Sequence, residues 1–210
     1  KGAYIRGDAT FAIKVASGFY RNPDKGLAVG SGLVLVLDAK TGAPLATLKD
    51  NAFLTELRTA AAGALAVRLL APTKIDKMAV LGTGVQARYQ LRAITRVRDI
   101  GEVFAWSPNA ERRQGYCEEM SAALGIPFRS ASSSAVACEN ADLVLTVTPA
   151  RKPIVEAKDV SRNTTILAVG SDGPDKQELD VAILAEADKV VVDNLSQCLA
   201  LGEVHHAVAA

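Results

Sequence analysis

The sequence predicts an α/β protein in two parts: a doubly wound parallel sheet, and a smaller α+β region with an antiparallel sheet. Three observations support this. After about Asp76, short apolar strands alternate with helices, which favours parallel strands joined by right-handed crossovers. A glycine-containing turn separates the first of these strands from the following helix. The first third of the chain instead has strands joined by short turns, which is typical of an antiparallel meander.

The antiparallel region is predicted to contain three strands, at Phe11–Val15, Leu33–Asp38 and Pro44–Leu48. Thr41 and Gly42 supply the turn chemistry between the last two. A helix over Asn51–Leu70 is predicted next, because this alanine-rich segment repeats its apolar residues at helical spacing. Pro72 ends that helix.

The parallel region is predicted from its alternating pattern. Its expected strands are Met78–Leu81, Glu102–Trp106, Phe128–Arg129, Leu143–Val147, Thr165–Val169 and Lys189–Asp193. Its expected helices are Val85–Val97, Ala110–Leu124, Ser133–Glu139, Leu179–Ala185 and Leu199–Ala210. The chain opens without Met and stops inside the last of these helices, so we expect a fragment of a longer protein, truncated at both ends.

Composition excludes several functional classes. Hydrophobic residues make up 49% and charged residues 22% of the chain, a globular balance. A net charge of +1 gives no reason to expect nucleic acid or an anionic membrane as partner, and no apolar run is long enough to span a bilayer. Three widely spaced cysteines favour buried thiols in a reducing compartment, so we expect a cytoplasmic protein. His205 and His206 are adjacent and cannot form a chelating pair alone, so no metal site is expected.

The glycine turn has the pattern GxGxxA. Gly82 allows a tight turn, Gly84 lets the backbone approach a pyrophosphate, and Ala87 allows close packing of helix on sheet. The helix N-terminus adds unpaired N–H groups and partial positive charge. The pattern predicts a Rossmann domain that binds a nicotinamide dinucleotide, with Thr83 in the turn. The alternative is a glycine-rich turn in an α/β domain that binds nothing.

The second parallel strand predicts which dinucleotide is bound. An NAD site usually ends this strand in Asp or Glu, but here Trp106 is followed by Ser107 and no carboxylate occurs before Glu111. Arg112 could pair with a 2′-phosphate through two hydrogen bonds, although a solvated surface arginine explains it equally well. The missing carboxylate favours NADP(H) over NAD(H).

Four segments of the chain together resemble the ornithine cyclodeaminase/mu-crystallin family. They are Lys14–Pro23, Leu54–Ala62, the turn Gly82–Gln86, and Val169–Leu179. The strings L-T-x-x-R-T-A-A and V-G-S-D-x-P-x-K-x-E-L are specific in combination, and the likeness covers essentially the whole chain. Members of the family also have a further N-terminal segment and a C-terminal tail, which agrees with the expected truncation.

The resemblance implies a role for individual residues. Lys14 and Arg58 are similar to the cations that bind the substrate carboxylate, and Asp172 to the acid/base, which makes Asp172 and Lys14 the expected catalytic residues. The residues expected to contact the cofactor, besides the glycine turn, are Val85, Gln86, Ser107, Thr146, Thr148, Val169, Lys176 and, as a looser match, Ser31. Without the resemblance, Lys14 could be an edge-strand lysine, Arg58 a solvated helix residue, and Asp172 a turn residue.

The resemblance also implies the reaction class, an NAD(P)-dependent step at the Cα of a small amino or imino acid. Reduction of a cyclic imine such as Δ1-pyrroline-2-carboxylate is favoured, because a reductase uses NADP(H) more readily than an enzyme that recycles NAD+. The alternatives are ornithine cyclodeamination to proline and ammonia, an ectoine-utilisation or alanine dehydrogenase activity, and ligand binding without turnover, as in mu-crystallin.

The expected domain arrangement follows from the resemblance as well. Residues 1–75 would form a substrate-binding and dimerisation domain, 76–195 the Rossmann domain, and 196–210 the start of a helix that returns to the first domain. The family pairs through the sheet of its first domain, so a homodimer is expected.

Overall fold

The computed structural model describes residues 2–19 and 21–210. The chain divides into two compact units, the first ending at Thr59 and the second running from Ala60 to Ala210. Over the described ranges, no helix combines the length and the apolar character that a membrane crossing requires.

The first unit is built on a four-stranded antiparallel sheet with the strand order β1-β2-β3-β4. Its strands are β1 Gly2–Ala3, β2 Thr10–Gly18, β3 Gly30–Asp38 and β4 Pro44–Leu48. β2 and β3 pair without a register shift from Thr10↔Asp38 to Gly18↔Gly30. Helix α1, Phe53–Leu70, follows the sheet and contains the boundary between the units. The expected antiparallel sheet is confirmed, and β1 is an addition to it.

The second unit contains a five-stranded parallel sheet. Its remaining elements in chain order are β5 Lys74–Leu81, α2 Val85–Ile94, β6 Asp99–Trp106, α3 Ala110–Leu124, β7 Phe128–Ser130, α4 Ser134–Cys138, β8 Leu143–Thr146, β9 Arg151–Val155, β10 Thr165–Ala168, β11 Gln177–Leu179, α5 Val181–Glu186, α6 Leu195–Ala200 and α7 Glu203–Ala209. The sheet order is β10-β8-β5-β6-β7, and β9 pairs with β11 in a small separate sheet.

This strand order creates a switch point beside β5. From β5 the chain winds outward through β6 and β7, and then returns to the other side of β5 to form β8 and β10. In open parallel sheets, ligands bind beyond the carboxyl ends of the strands at such a point. The doubly wound parallel fold predicted from the sequence is confirmed. A ligand site is therefore expected among the residues that follow β5, β6, β8 and β10.

Both faces of the parallel sheet are buried. Met78 and Val80 face the cluster that includes Leu91 of α2 and Tyr116 of α3. Their neighbours on β5, Ala79 and Leu81, belong to a second cluster on the opposite face, with Ala137 and Cys138 of α4 among its members. This explains why Met78–Leu81, the second half of β5, is a continuous apolar run without an alternating pattern.

The expected thiols are present. All three cysteines lie within the described chain and are free, with Cys117 and Cys138 buried and Cys198 partly exposed. Burial raises the pKa of the Cys138 thiol to about 12, so this thiol stays protonated and behaves as a core residue.

The C-terminal third of the chain differs from the sequence-based expectation. Lys189–Asp193, expected as a sixth strand, forms no strand, and Val190 and Val191 are 50% and 57% exposed. A valine run becomes a strand only beside a hydrogen-bonding neighbour, which the run itself does not reveal. The single helix expected over Leu199–Ala210 is divided into α6 and α7, because Gly202 adopts a φ of +84°. β9 and β11 were not expected.

Candidate functional site

The glycine turn after β5 has the geometry that its sequence pattern predicts. Gly82 has a φ of +109°, and a Cβ added there would lie 2.7 Å from the carbonyl oxygen of Val147. Its N–H donates to the carbonyl oxygen of Trp106 at 2.8 Å. Any side chain at position 82 would therefore be strained and would collide with the loop after β8.

The second glycine leaves space at the start of α2. Gly84 precedes the helix at φ −84°, and a Cβ added there meets no described atom within 4 Å. The first turn of α2, all of it described, contains no acidic residue, and Ala87 is fully buried against the sheet. Val85 is half exposed beside the turn. Backbone N–H groups with space in front of them and no opposing carboxylate fit the pyrophosphate of a dinucleotide.

Arg88 holds the same turn from inside α2. Its Nη1 donates to the carbonyl oxygens of Thr83 at 2.7 Å and Gly84 at 3.1 Å. Its Nη2 and Nε donate to the carboxylate of Glu119 on α3, and this bond lowers the pKa of Glu119. No local sequence signal marks Arg88 for this role, because the partner that orients it lies 31 residues away on another helix.

The end of β6 lies next to the turn. The hydroxyl of Thr83 donates to the hydroxyl of Ser107 at 3.0 Å, and Ser107 is only 7% exposed. Arg113 donates to the carbonyl oxygen of Ser107 at 2.6 Å and to the hydroxyl of Ser130 at 2.7 Å. Arg112 is exposed. Of the two arginines, Arg113 thus braces the backbone, whereas the guanidinium of Arg112 is open to solvent.

The loops after β8 and β10 meet at a buried carboxylate. Glu178 is fully buried and accepts hydrogen bonds from the N–H groups of Thr148 at 2.6 Å and Gly170 at 2.9 Å. The strand pairing itself ends with a bond of 2.9 Å from the Val169 N–H to the carbonyl oxygen of Thr146. The structure therefore brings together three residues expected at the cofactor, Thr146, Thr148 and Val169. Glu178 belongs to the string V-G-S-D-x-P-x-K-x-E-L, but the string itself indicates no role for it.

Asp172 follows in the loop after β10, where it pairs with Lys176. Lys176 Nζ donates to Asp172 Oδ1 at 2.5 Å, with the Asp172 side chain 74% exposed and that of Lys176 14% exposed. The expected acid/base is therefore accessible, and a mostly buried ammonium group holds one of its oxygens.

The first unit carries the two cations expected to bind a carboxylate. Lys14 on β2 donates from Nζ to the hydroxyl of Thr55 at 3.0 Å. Arg58 follows Thr55 by three residues on α1, so the two occupy neighbouring positions on the helix surface, and Arg58 is exposed. Lys14 and Arg58 are thus both associated with the first turns of α1.

Ser31 is separate from this pair of cations. It is exposed on β3, opposite Ser17 of β2. Ser17 lies three residues after Lys14 on a regular strand, so alternation directs Lys14 to one face of the sheet and Ser31 to the other. Gln86, also expected at the cofactor, lies on α2 in the second unit and is partly buried.

The fold and the turn define an α/β dinucleotide-binding protein with its candidate site at the switch point of a parallel sheet. The family model for the ornithine cyclodeaminase/mu-crystallin family matches residues 2–209. The chain belongs to this family, as the resemblance implied.

Individual relatives agree with this assignment. An uncharacterised cyclodeaminase of Sinorhizobium fredii is 40% identical over 210 residues, which is all of this chain and 63% of that protein's length. A solved Δ1-pyrroline-2-carboxylate reductase of Thermococcus litoralis, in complex with NADH and L-proline, is 31% identical with a TM-score of 0.88, over 100% of this chain and 69% of that one. An archaeal alanine dehydrogenase dimer with bound NAD is 38% identical with a TM-score of 0.89, over 99% of this chain and 63% of that one.

Proposed function

We propose that the protein is a nicotinamide-dinucleotide-dependent oxidoreductase acting at the Cα of a small amino or imino acid. Reduction of a cyclic imine such as Δ1-pyrroline-2-carboxylate is the proposed reaction. The observation that carries this proposal is the position of Asp172. Its exposed carboxylate pairs with Lys176 beyond the carboxyl end of β10, and β10 belongs to the same parallel sheet as β5, which the glycine turn follows. The similar reductase from Thermococcus litoralis holds NADH and L-proline, the saturated counterpart of that imine.

Each residue in the proposal has a defined task. Saturating the C=N bond requires one hydride at carbon, which a reduced nicotinamide supplies, and one proton at nitrogen. Asp172, which is exposed, would take that proton from solvent and pass it to the nitrogen, and Lys176 would fix the orientation of the carboxyl group. Lys14 and Arg58 would bind the substrate carboxylate, the arginine through two parallel hydrogen bonds and the lysine as a point charge. In this assignment Asp172 and Lys14 are the catalytic residues.

The proposed cofactor is NADP(H) in preference to NAD(H). β6 ends at Trp106 without a carboxylate to accept a hydrogen bond from a ribose 2′-hydroxyl, and the solvent-exposed guanidinium of Arg112 could donate hydrogen bonds to a 2′-phosphate. Thr83, Val85, Gln86, Ser107, Thr146, Thr148, Val169, Lys176 and Ser31 are the other proposed cofactor contacts, together with both turn glycines.

We further propose a homodimer formed through the sheet of the first unit. Ile13, Val15 and Leu33 are exposed apolar side chains on one face of the paired strands β2 and β3, and Leu45 on β4 is exposed as well. Exposed apolar patches of this kind mark association surfaces, and the similar archaeal alanine dehydrogenase is a dimer. Residues 1–75 would form the substrate and dimerisation domain, and residues 76–195 the dinucleotide domain.

Cyclodeamination is the second candidate, because the relative that is 40% identical over the whole chain is named a cyclodeaminase. An assay with the full-length protein separates the candidates. NADPH or NADH oxidation is followed with Δ1-pyrroline-2-carboxylate, its six-membered homologue, or pyruvate plus ammonia, and proline formation is followed with ornithine and NAD+.

Oxidation with a cyclic imine that is lost in Asp172→Asn supports the reductase proposal. The matched control is Asp175→Asn, which changes an exposed carboxylate of the same loop that pairs with Arg151; it should retain activity. Net proline formation from ornithine, without imine reduction, would transfer the proposal to cyclodeamination. Dinucleotide binding without any turnover would indicate a ligand-binding protein.

A further inference from the structure

One buried carboxylate joins the two loops that carry the proposed catalytic and cofactor residues. Glu178 Oε1 accepts from the N–H of Thr148, two residues after the end of β8, and Oε2 accepts from the N–H of Gly170, two residues after the end of β10. Each oxygen therefore binds a different loop. The carboxylate continues the connection between neighbouring strands at the point where their own pairing stops.

The two loops approach each other closely at this point. A Cβ at Gly170 would lie 2.4 Å from the carbonyl oxygen of Thr148 and 2.5 Å from Glu178 Oε2. Asp172 is connected to the same backbone, because its N–H donates to the carbonyl oxygen of Gly170 at 3.1 Å. A displacement of Gly170 would therefore move Asp172 relative to Thr148.

Helix α7 holds Glu178 from the other side. The carboxylate of Glu203 accepts from the N–H groups of Glu178 at 2.8 Å and Leu179 at 3.1 Å. His206 on the same helix contacts the carbonyl oxygen of Lys176 through Nε2 at 2.8 Å. β11 and the loop before it are thus connected to α7 through two side chains, which makes Glu178 the middle of a chain of contacts from α7 to the sheet edge.

We propose that Glu178 is a positioning residue that sets the distance between the Thr148 loop and the Asp172 loop. This inference rests on the proposed function, because the position of Asp172 affects catalysis only if Asp172 is the acid/base. The hydrogen bonds that join the two loops come from backbone N–H groups, and Glu178 would take no proton from the substrate. Its carboxylate reaches both loops, so its loss should alter catalysis more than substrate affinity.

The test compares Glu178→Gln, Glu178→Asp and the control Glu186→Gln in the full-length protein. Glu186 is an exposed carboxylate at the end of α5, so its change is chemically matched but away from the loops. In Glu178→Gln, an amide nitrogen, which only donates, replaces one of the two accepting oxygens. One of the two backbone N–H groups therefore loses its acceptor. In Glu178→Asp both acceptors remain, but the side chain is too short by one methylene to reach both loops.

We expect kcat for the imine to fall by up to about 100-fold in Glu178→Gln and Glu178→Asp, since a misplacement of roughly 1 Å can cost that much. The KM for the imine should stay near its original value. Amide hydrogen exchange at Thr148 and Gly170 should accelerate in both variants and remain unchanged in the control. A purely structural brace would lower the free energy of unfolding while leaving kcat per folded molecule unchanged, and that result overturns the proposal.

If Glu178→Gln does not fold, Glu203→Gln replaces it, because this change weakens the support of the Glu178 backbone without removing the carboxylate. A smaller loss of kcat with faster exchange at Gly170 is then expected, and unchanged kcat and exchange would overturn the proposal. The two proposals fail separately. An active protein whose Glu178→Gln variant keeps its kcat refutes the positioning role alone, whereas an original protein without activity on any substrate refutes the proposed function.

Discussion

Arg88 donates a hydrogen bond of 2.7 Å to the carbonyl oxygen of Thr83, and its guanidinium is oriented by Glu119 on the neighbouring helix. The arginine lies one turn inside the helix that the glycine turn begins, so it reaches back to hold that turn. The shape of the proposed phosphate-binding loop therefore depends on a contact between α2 and α3, in addition to the glycines.

Replacing Arg88 should weaken dinucleotide binding. In Arg88→Met we expect the Kd for the cofactor to rise about 10-fold, equivalent to ~1.4 kcal/mol. The free energy of unfolding should fall by about 1–3 kcal/mol, the usual cost of losing a charged hydrogen-bond donor. Calorimetric titration and urea unfolding measure the two effects. Arg92→Met, at an exposed arginine of the same helix, is the control, and equal Kd values in both variants would contradict the role of Arg88.

The two turn glycines should respond differently to the same substitution. Gly82→Ala places a methyl group 2.7 Å from the Val147 carbonyl oxygen at a φ of +109°, so we expect the free energy of unfolding to fall by about 1–3 kcal/mol. Gly84→Ala meets no described neighbour and should fold normally. Its methyl group would project where the pyrophosphate is proposed, so only the dinucleotide Kd should rise. Tight binding by Gly84→Ala would move the proposed phosphate position elsewhere.

Arg58→Lys tests the proposed carboxylate clamp. Lysine keeps the charge but loses the planar pair of donors, so the KM for the imine should rise by about 10-fold for a loss of ~1.4 kcal/mol. The dinucleotide Kd should not change. Steady-state kinetics with both substrates varied gives both quantities. Arg68→Lys, an exposed position on the same helix, serves as the control, and an unaltered KM in Arg58→Lys would leave Arg58 a surface residue.

The cofactor preference can be tested at Arg112. In Arg112→Ala we expect kcat/KM for NADPH to fall about 10-fold or more, because a 2′-phosphate loses a charged donor. The value for NADH should remain the same. The matched control is Arg96→Ala at another exposed arginine. A protein that uses NADH better than NADPH before any substitution would refute the proposed preference.

The Glu178–Glu203 pair predicts a pH dependence of stability. Burial raises the pKa of both carboxyl groups above their ordinary value of 4.5, against the opposing effect of the hydrogen bonds that they accept. Above about pH 4.5 the unfolded chain therefore releases its protons before the folded chain does. The folded state binds more protons in this window, so the free energy of unfolding falls as the pH rises through the raised pKa values.

Glu203→Gln removes one of these ionisations. The difference in free energy of unfolding between the original protein and Glu203→Gln should move in favour of the variant as the pH rises from about 4.5 towards neutrality. Urea unfolding at a series of pH values measures it. The exposed Glu186→Gln variant should show no such trend. A difference that stays constant with pH would show that Glu203 ionises in the folded protein as it does in the unfolded one.

Local patterns predicted much of the fold. α3 and β4 have the bounds that the sequence indicated, Ala110–Leu124 and Pro44–Leu48, because capping, periodicity and turn residues are local signals. The sequence predicted the glycine turn at the correct residues, because a tight turn and a helix N-terminus each require particular residue types at fixed positions. Lys189–Asp193 was wrongly predicted as a strand, because β-structure depends on a partner that is distant in sequence.

The sequence by itself determined the α/β class, the GxGxxA turn and the membership of the family, since these depend on residue types at short spacing. Only the tertiary structure decided which side chains complete the candidate site. The carboxylate of Glu178 meets Thr148 across 30 residues, and Arg88 meets Glu119 across 31. Such contacts depend on how strands and helices are arranged in space, and the residue types alone do not encode that arrangement in any local pattern.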